Sequence, residues 1–208
     1  MADLLFWNVD TQKDFIEPDG KLYVSGAELL KPVWKKVSAL AKEKSIRIVS
    51  TADYHFRDSA ELSENPDFIT TFPPHCMAGT TGAEYIDETK PENPFIFEWD
   101  KNYQNLSKIL DEKINQDIII RKDAFDVFKG NPNTENVVKE LAPKVVVVYG
   151  VTTNVCVNDA VVGLAKRVEK VYVVEDAIKE LPNIPLPFDN WKKLGVEMIN
   201  SSLINQLI

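Results

Sequence analysis

Short, nearly continuous apolar runs alternate along this chain with longer stretches of helical period. The runs lie at 4–9 (LLFWNV), 46–51 (IRIVST), 95–98 (FIFE), 117–121 (DIIIR), 144–149 (KVVVVY) and 170–175 (KVYVVE). They are rich in β-branched residues and lack a strict in/out alternation, which predicts strands covered on both faces. Between them, residues 27–43 place Leu29, Leu30, Val33, Val37, Leu40 and Ala41 on one helical stripe, and 103–115 and 134–141 read similarly. Pro32 suits a first turn, so this helix can begin later than 27. A proline-rich connector from 181 leads into a last helix at about 189–200. The alternation predicts an α/β architecture with a parallel sheet covered by helices.

One stretch breaks the pattern. Residues 54–94 carry Pro66, Pro73, Pro74, Pro91 and Pro94 with Gly79 and Gly82, an irregular excursion of the kind that is usually functional or mobile. The 208 residues suffice for one domain spanning 1–208, and a hydrophobic share of 44% supplies a core without disulfides as staples. Twenty-four basic against 32 acidic residues give a net charge of −8, and no basic run offsets it. That balance argues against nucleic acid or an anionic membrane as partner and favours a small molecule. MADLLFWNVD lacks the basic start and apolar length of a signal peptide, and Cys76 and Cys156 stand far apart, so reduced thiols in a cytoplasmic protein are expected.

In doubly wound sheets ligands bind beyond the carboxyl ends of the strands. Here the first strand runs into Asp10 within DTQKDF, the second into Asp53 and His55, the fourth into Lys122, and the fifth into GVTTNVC with Cys156. Taken singly each has a plainer explanation: Asp10 as a helix cap, Lys122 as a solvated strand end, Cys156 as an inert core thiol. Their coincidence at sheet ends is the signal. The only two histidines, His55 and His75, both fall in the irregular excursion. Asp53 and His55, two apart on an extended segment, project to one side, and His75 on a returning loop completes a three-ligand metal site or stands as an ordinary loop histidine. Zinc, iron and manganese all accept such ligands.

These residues together resemble the isochorismatase-like cysteine hydrolases, and within them the nicotinamidase and pyrazinamidase branch. The resemblance runs over roughly residues 4–178 and rests on D-x-Q-x-D-F (Asp10–Phe15), the lysine of RKDAFDVF, GVTTNVCVNDAVVGLAKRVEKVYVVEDA around Cys156, A-D-Y-H at 52–55 and FPPHCMAGTTGAE at 72–84. It implies a three-layer α/β/α sandwich with a mostly parallel, Rossmann-like sheet. It also implies a catalytic triad of Asp10, Lys122 and Cys156, and a cis peptide between Val151 and Thr152 that aims the N–H groups of Thr152 and Cys156 at a developing oxyanion. Asp53, His55 and His75 match the ligands of one divalent metal ion, zinc first, with iron and manganese as alternatives. Phe15 matches an aromatic of the family pocket, with Phe72 and Phe128 as further apolar wall.

What the resemblance implies chemically is amide hydrolysis through a thioester. Cys156 attacks a carboxamide carbon, Lys122 favours the thiolate, and Asp10 carries the proton to the departing ammonia before serving as base for water. Nicotinamide is the first expected substrate, feeding nicotinate into NAD salvage, and another small amide, ureido or carbamoyl compound the alternative. A catalytically silent binding protein is disfavoured by the intact triad residues. Departures bear on the substrate: many nicotinamidases carry Trp where this chain has Phe72, and some add a histidine after the D-x-H pair that is missing here. Isochorismate fits poorly, because enzymes of that activity typically lack the cysteine. Family members are often oligomeric, which leaves a homo-oligomer open. Cys76 reads as a small buried hydrophobe, in preference to a metal ligand or a disulfide partner of Cys156.

Overall fold

The computed structural model describes residues 3–208. Its centre is a seven-stranded sheet built from β1 (Leu4–Val9), β2 (Ile48–Asp53), β3 (Phe95–Phe97), β4 (Ile118–Lys122), β5 (Val145–Val151), β6 (Lys170–Lys179) and β7 (Glu197–Ile199). The strand order is β3-β4-β2-β1-β5-β6-β7, and every pairing is parallel. Parallel strands require crossovers, and these carry α1 (Lys13–Ile16), α2 (Lys31–Glu43), α3 (Leu106–Glu112), α4 (Val127–Gly130), α5 (Thr134–Leu141) and α6 (Cys156–Ala165), with α7 (Phe188–Lys193) between β6 and β7.

Period-two side-chain direction sorts the central strands onto two cores. Leu5, Trp7 and Val9 of β1, with Val146 and Val148 of β5, face α3, α5 and α6. Phe6 of β1, with Val147, Tyr149 and Val151 of β5, faces α2 and the C-terminal 3-10 turn around Ile204. Two covered faces explain the unbroken apolar runs. The three-layer expectation therefore holds.

Several boundaries differ from the sequence pattern for identifiable reasons. β2 and β4 run on to Asp53 and Lys122, so these polar residues are the last residues of strands rather than the first residues beyond them. Residues 27–30 form a 3-10 turn ahead of α2, whose different period swings Leu29 out to solvent, and Trp34 fills the core in its place, donating from Nε1 to Ala177 O. The last helix does not reach 200: it stops at Lys193, Gly195 takes a left-handed conformation, and Glu197–Ile199 pairs with β6 as the edge strand. The segment 103–115 shortens to α3, because Tyr103 packs on Phe95 and Phe97 instead of continuing a helix. Residues 54–94 are irregular apart from a 3-10 turn at Thr81–Ala83, as the prolines indicate. No described helix is long and apolar enough to cross a membrane.

β1 and β5 lie at the point where the chain, having built outward on one side of β1, begins to build on the other. Gly150 makes their close approach possible: it has φ +124, and a Cβ there would lie 2.0 Å from Val9 O. Gly150→Ala is expected to cost about 3 kcal/mol or more in denaturant unfolding or to yield no soluble protein. Gly195→Ala, at φ +75 in open space, should cost only about 1–2 kcal/mol. Equal costs at the two positions would remove the close-approach argument.

Candidate active site and metal centre

The carboxyl ends of β4, β2, β1 and β5 are neighbours, and the chemically loaded residues sit there. Asp10 follows β1 in a left-handed conformation (φ 47), which a short polar side chain tolerates. Asp53 and Lys122 close β2 and β4 in register with each other. Val151–Thr152, a cis peptide, ends β5, and Cys156 opens α6. Asp10, Asp53, Lys122 and Cys156 are all buried.

The Lys122 ammonium stands at the middle of this group. It donates to Asp53 Oδ1, lies 3.0 Å from Asp10 Oδ2 and reaches Cys156 Sγ at 3.8 Å. Asp10 Oδ1 accepts from the Thr51 hydroxyl at 2.6 Å, whereas its Oδ2 has no directional hydrogen bond. Burial works against the ammonium, but Asp10, Asp53 and the Cys156 sulfur together hold it well above the usual lysine range. Burial also raises the Asp10 carboxyl despite Lys122, which makes it a better base than an ordinary aspartate. The Cys156 thiol is pushed well above the usual range, mainly by burial, with Lys122 pulling the other way. Among the protein groups alone a standing thiolate is therefore not favoured, since one ammonium already faces two carboxylates before any metal ion adds its charge. Cys156 begins a ten-residue helix, whose N-terminal dipole favours negative charge on sulfur as it develops. Among the described residues, the N–H groups of Thr152 and Cys156 donate to no protein acceptor.

A second cluster adjoins the first through Asp53. One ligand atom from each of Asp53, His55 and His75 lies within 4.8 Å of the others, and all three residues are buried. The other oxygen of Asp53, Oδ2, is 3.7 Å from His75 Nε2 and 3.9 Å from His55 Nε2. His75 Nδ1 donates to the Pro73 carbonyl at 2.8 Å, and His55 Nδ1 stands 2.8 Å from Asp123 Oδ1. A carbonyl or a carboxylate can only accept, so both Nδ1 atoms carry a proton, and in the neutral rings both Nε2 atoms present lone pairs inward. Asp53 Oδ2 and His55 Nε2 have no hydrogen-bond partner although fully buried. Three inward-facing acceptors call for a cation, and the Oδ2–Nε2 separations are a few tenths of an ångström wider than the about 3.4 Å that a tetrahedral zinc site needs. The residues fit a divalent metal ion. Burial opposes ionisation of Asp53, but the Lys122 ammonium holds its carboxyl well below the usual range. A second group, Asp10, Asp53 and Cys156, also approaches within 4.8 Å, but the Lys122 ammonium already serves it.

Phe15 meets the His75 ring edge-on at 5.2 Å, and Phe72 does so at 6.5 Å. Phe128 is not brought to the site. Its ring lies where a side chain on Gly163 would be, beneath the Arg167 guanidinium, about two turns along α6 from Cys156. Phe125 packs on Phe72 at 5.3 Å and supplies the further aromatic that Phe128 was expected to give. Cys76 is a buried free thiol near Gly82 O, outside the metal cluster and unpaired with Cys156.

Sequence reasoning missed four supporting residues. Gln12 clamps Asp53 from both sides, its Oε1 accepting Asp53 N–H and its Nε2 donating to the Asp53 and Ala83 carbonyls. Asp123 and Ser59 stand behind His55, with the Ser59 hydroxyl donating to Asp123 Oδ1. Glu61 accepts Phe125 N–H on Oε1 while its Oε2 is buried without a partner. Adjacency to Lys122 in RKDAF was a usable signal for Asp123. Nothing local marks Ser59 or Glu61.

Residues 97–183 match the isochorismatase domain. Nicotinamidase/pyrazinamidase from Mycobacterium tuberculosis is 32% identical over 77 residues, a match that spans 37% of this chain and 40% of that protein. Among solved structures, N-carbamoylsarcosine amidase from Thermoplasma acidophilum superposes with a TM-score of 0.72 at 22% identity, covering 97% of each chain. Pyrazinamidase of Pyrococcus horikoshii, in complex with zinc, gives 0.71 at 23%, covering 96% of this chain and 99% of that one. The parallel sheet with its flanking helices is thus the isochorismatase-like α/β fold.

Burial raises the Glu61 carboxyl to about 7, against the pull of the Phe125 N–H and Lys122. A carboxyl that is raised on folding keeps its proton where the unfolded chain has lost it. Stability should therefore fall as pH rises from about 4.5 to about 7. Metal-free Glu61→Gln should show a shallower decline than the parent in denaturant unfolding across that window, and identical slopes would show that Glu61 titrates normally.

Proposed function

We propose that this chain, which carries an isochorismatase domain on the isochorismatase-like α/β fold, is a metal-dependent cysteine amidohydrolase and acts on nicotinamide. The observation that carries the reading is the shared carboxylate of Asp53, one oxygen on Lys122 and the other turned to His55 and His75. It joins a nucleophile–base cluster to a metal cluster in one buried space. Asp53, His55 and His75 would hold a divalent ion, which would supply positive charge and a Lewis-acid contact for a nitrogen-bearing ring.

The chain's own residues account for the proton traffic. Asp10 Oδ2, free of a directional bond, takes the Cys156 proton as sulfur forms its bond to the carboxamide carbon. This replaces the thiolate held by Lys122 that residue type alone suggested, because burial dominates at Cys156. Charge developing on the carbonyl oxygen is met by the N–H groups of Thr152 and Cys156, which donate to no acceptor among the described residues. Asp10 then gives its proton to the amide nitrogen, the C–N bond breaks and ammonia leaves a thioester. Water adds to that thioester with Asp10 as base, releasing the acid and restoring the thiol. Lys122 keeps Asp10 oriented through these transfers and favours its ionised form between them. Phe15, Phe72 and Phe125 offer apolar wall for a planar ring. The product nicotinate would serve NAD salvage in a cytoplasmic setting.

The likeness in fold to N-carbamoylsarcosine amidase favours a second reading of the substrate, a ureido or carbamoyl compound.

Ammonia release from purified protein offered nicotinamide, assayed before and after chelation and after zinc, iron or manganese is restored, tests the assignment. Release that disappears on chelation is expected, with Cys156→Ala lowering turnover by at least about 10⁴-fold. Metal-loaded, folded protein that leaves nicotinamide intact but cleaves a ureido substrate would transfer the assignment to the second reading. Retained activity in Cys156→Ala would remove the thioester route for either.

A further inference from the structure

Both histidines of the metal cluster must present Nε2, and the protein achieves this in two different ways. His75 is fixed by a main-chain carbonyl two residues away, which no substitution at a side chain removes. His55 depends on a side chain, Asp123, that follows Lys122 at the end of β4. The Asp123 carboxylate is itself held: Oδ1 accepts the Ser59 hydroxyl at 2.5 Å, and Ser59 Oγ in turn accepts Phe56 N–H at 2.9 Å. Asp123 N–H is engaged by Gly130 O, so the backbone cannot swing the carboxylate away. The relay Phe56 N–H, Ser59, Asp123, His55 thus runs from the irregular excursion to the strand end that also carries Lys122.

We infer that Asp123 is a positioning residue: it holds His55 as the Nδ1–H tautomer, leaving the Nε2 lone pair as the metal-binding atom, and Ser59 orients it for that task. The inference rests on the metal-site half of the function proposed above and is independent of which amide is cleaved. Its physical basis is that a neutral imidazole carries one proton, and an acceptor fixed at one nitrogen decides which nitrogen keeps a lone pair. Without that acceptor, the imidazole would be free to rotate or to place its proton on Nε2, facing Asp53 Oδ2. Either change removes a ligand from the cluster. Asp123 and Lys122 are consecutive, so one strand end places both the cation of the nucleophile cluster and the support of the metal cluster.

The test measures zinc affinity by chelator competition, and the His55 tautomer by ¹⁵N NMR of metal-free protein at a pH where the imidazole is neutral, in the parent, Asp123→Ala, Asp123→Asn, Ser59→Ala and His75→Ala. The parent should bind one zinc with His55 in the Nδ1–H form. Asp123→Ala should bind zinc about 10–100-fold more weakly and show a mixture of tautomers. Asp123→Asn, whose amide oxygen can still accept, should lose less, and Ser59→Ala should move the same way by a smaller factor. The asparagine variant keeps the side-chain volume and guards against a simple folding failure. Zinc affinity within twofold of the parent in both Asp123 variants, or an Nε2–H tautomer in the parent, would overturn the inference. A parent that binds no more zinc than His75→Ala overturns the metal-site reading and this inference with it. Failure on nicotinamide with the zinc and tautomer results intact overturns only the substrate and leaves Asp123 in its role.

Discussion

The ammonium of Lys122, buried between the carboxylates of Asp10 and Asp53, is the constraint on which the site depends. An ion removed from water costs several kcal/mol unless it is paired and hydrogen-bonded, and a lone buried lysine would shed its proton. Here the two carboxylates reverse that tendency, and the charge they leave over is one unit of negative. Among the protein groups alone such a cluster disfavours a resting thiolate at Cys156 and leaves Asp10 more basic than an ordinary aspartate. Neutral thiol, raised carboxyl and fixed ammonium form one electrostatic unit, so the titration of any one member belongs to all three.

Asp53 extends that constraint to the second cluster. Its two oxygens face different partners, and the Gln12 side chain holds its backbone from both sides. Displacing Asp53 would therefore disturb the lysine and the histidines together. Asp123 gives the same coupling from the neighbouring strand, and the Glu61–Phe125 and Ser59–Asp123 bonds fasten the irregular excursion to the β4 end. A segment rich in proline and poor in regular structure becomes a defined part of the site through these side-chain bonds.

The layers were legible because hydrophobicity follows burial: six of the seven strands appear as apolar runs, and 134–141 matches α5 to the residue. The short edge strand β7 was not legible, since Glu197 and Met198 are exposed and no apolar run marks them. Its pairing with β6 depends on Gly195 ending the preceding helix. Leu29 stands outside the core, against the expected stripe, for a similar reason, a local change from 3-10 to α period that an average stripe does not register.

By itself the sequence determined which chemistries were available: an acid, a cation and a thiol at strand ends, and two histidines confined to one excursion. Those are statements about residue type and order, which survive any error in geometry. Only the tertiary structure decided that Asp53 belongs to both clusters, that Phe125 rather than Phe128 stands with Phe72, that both histidines turn Nε2 inward, and that burial outweighs Lys122 at Cys156. Each depends on distances of a few ångströms between residues tens of positions apart, and on the depth of burial. Neither quantity is carried by any local stretch of chain.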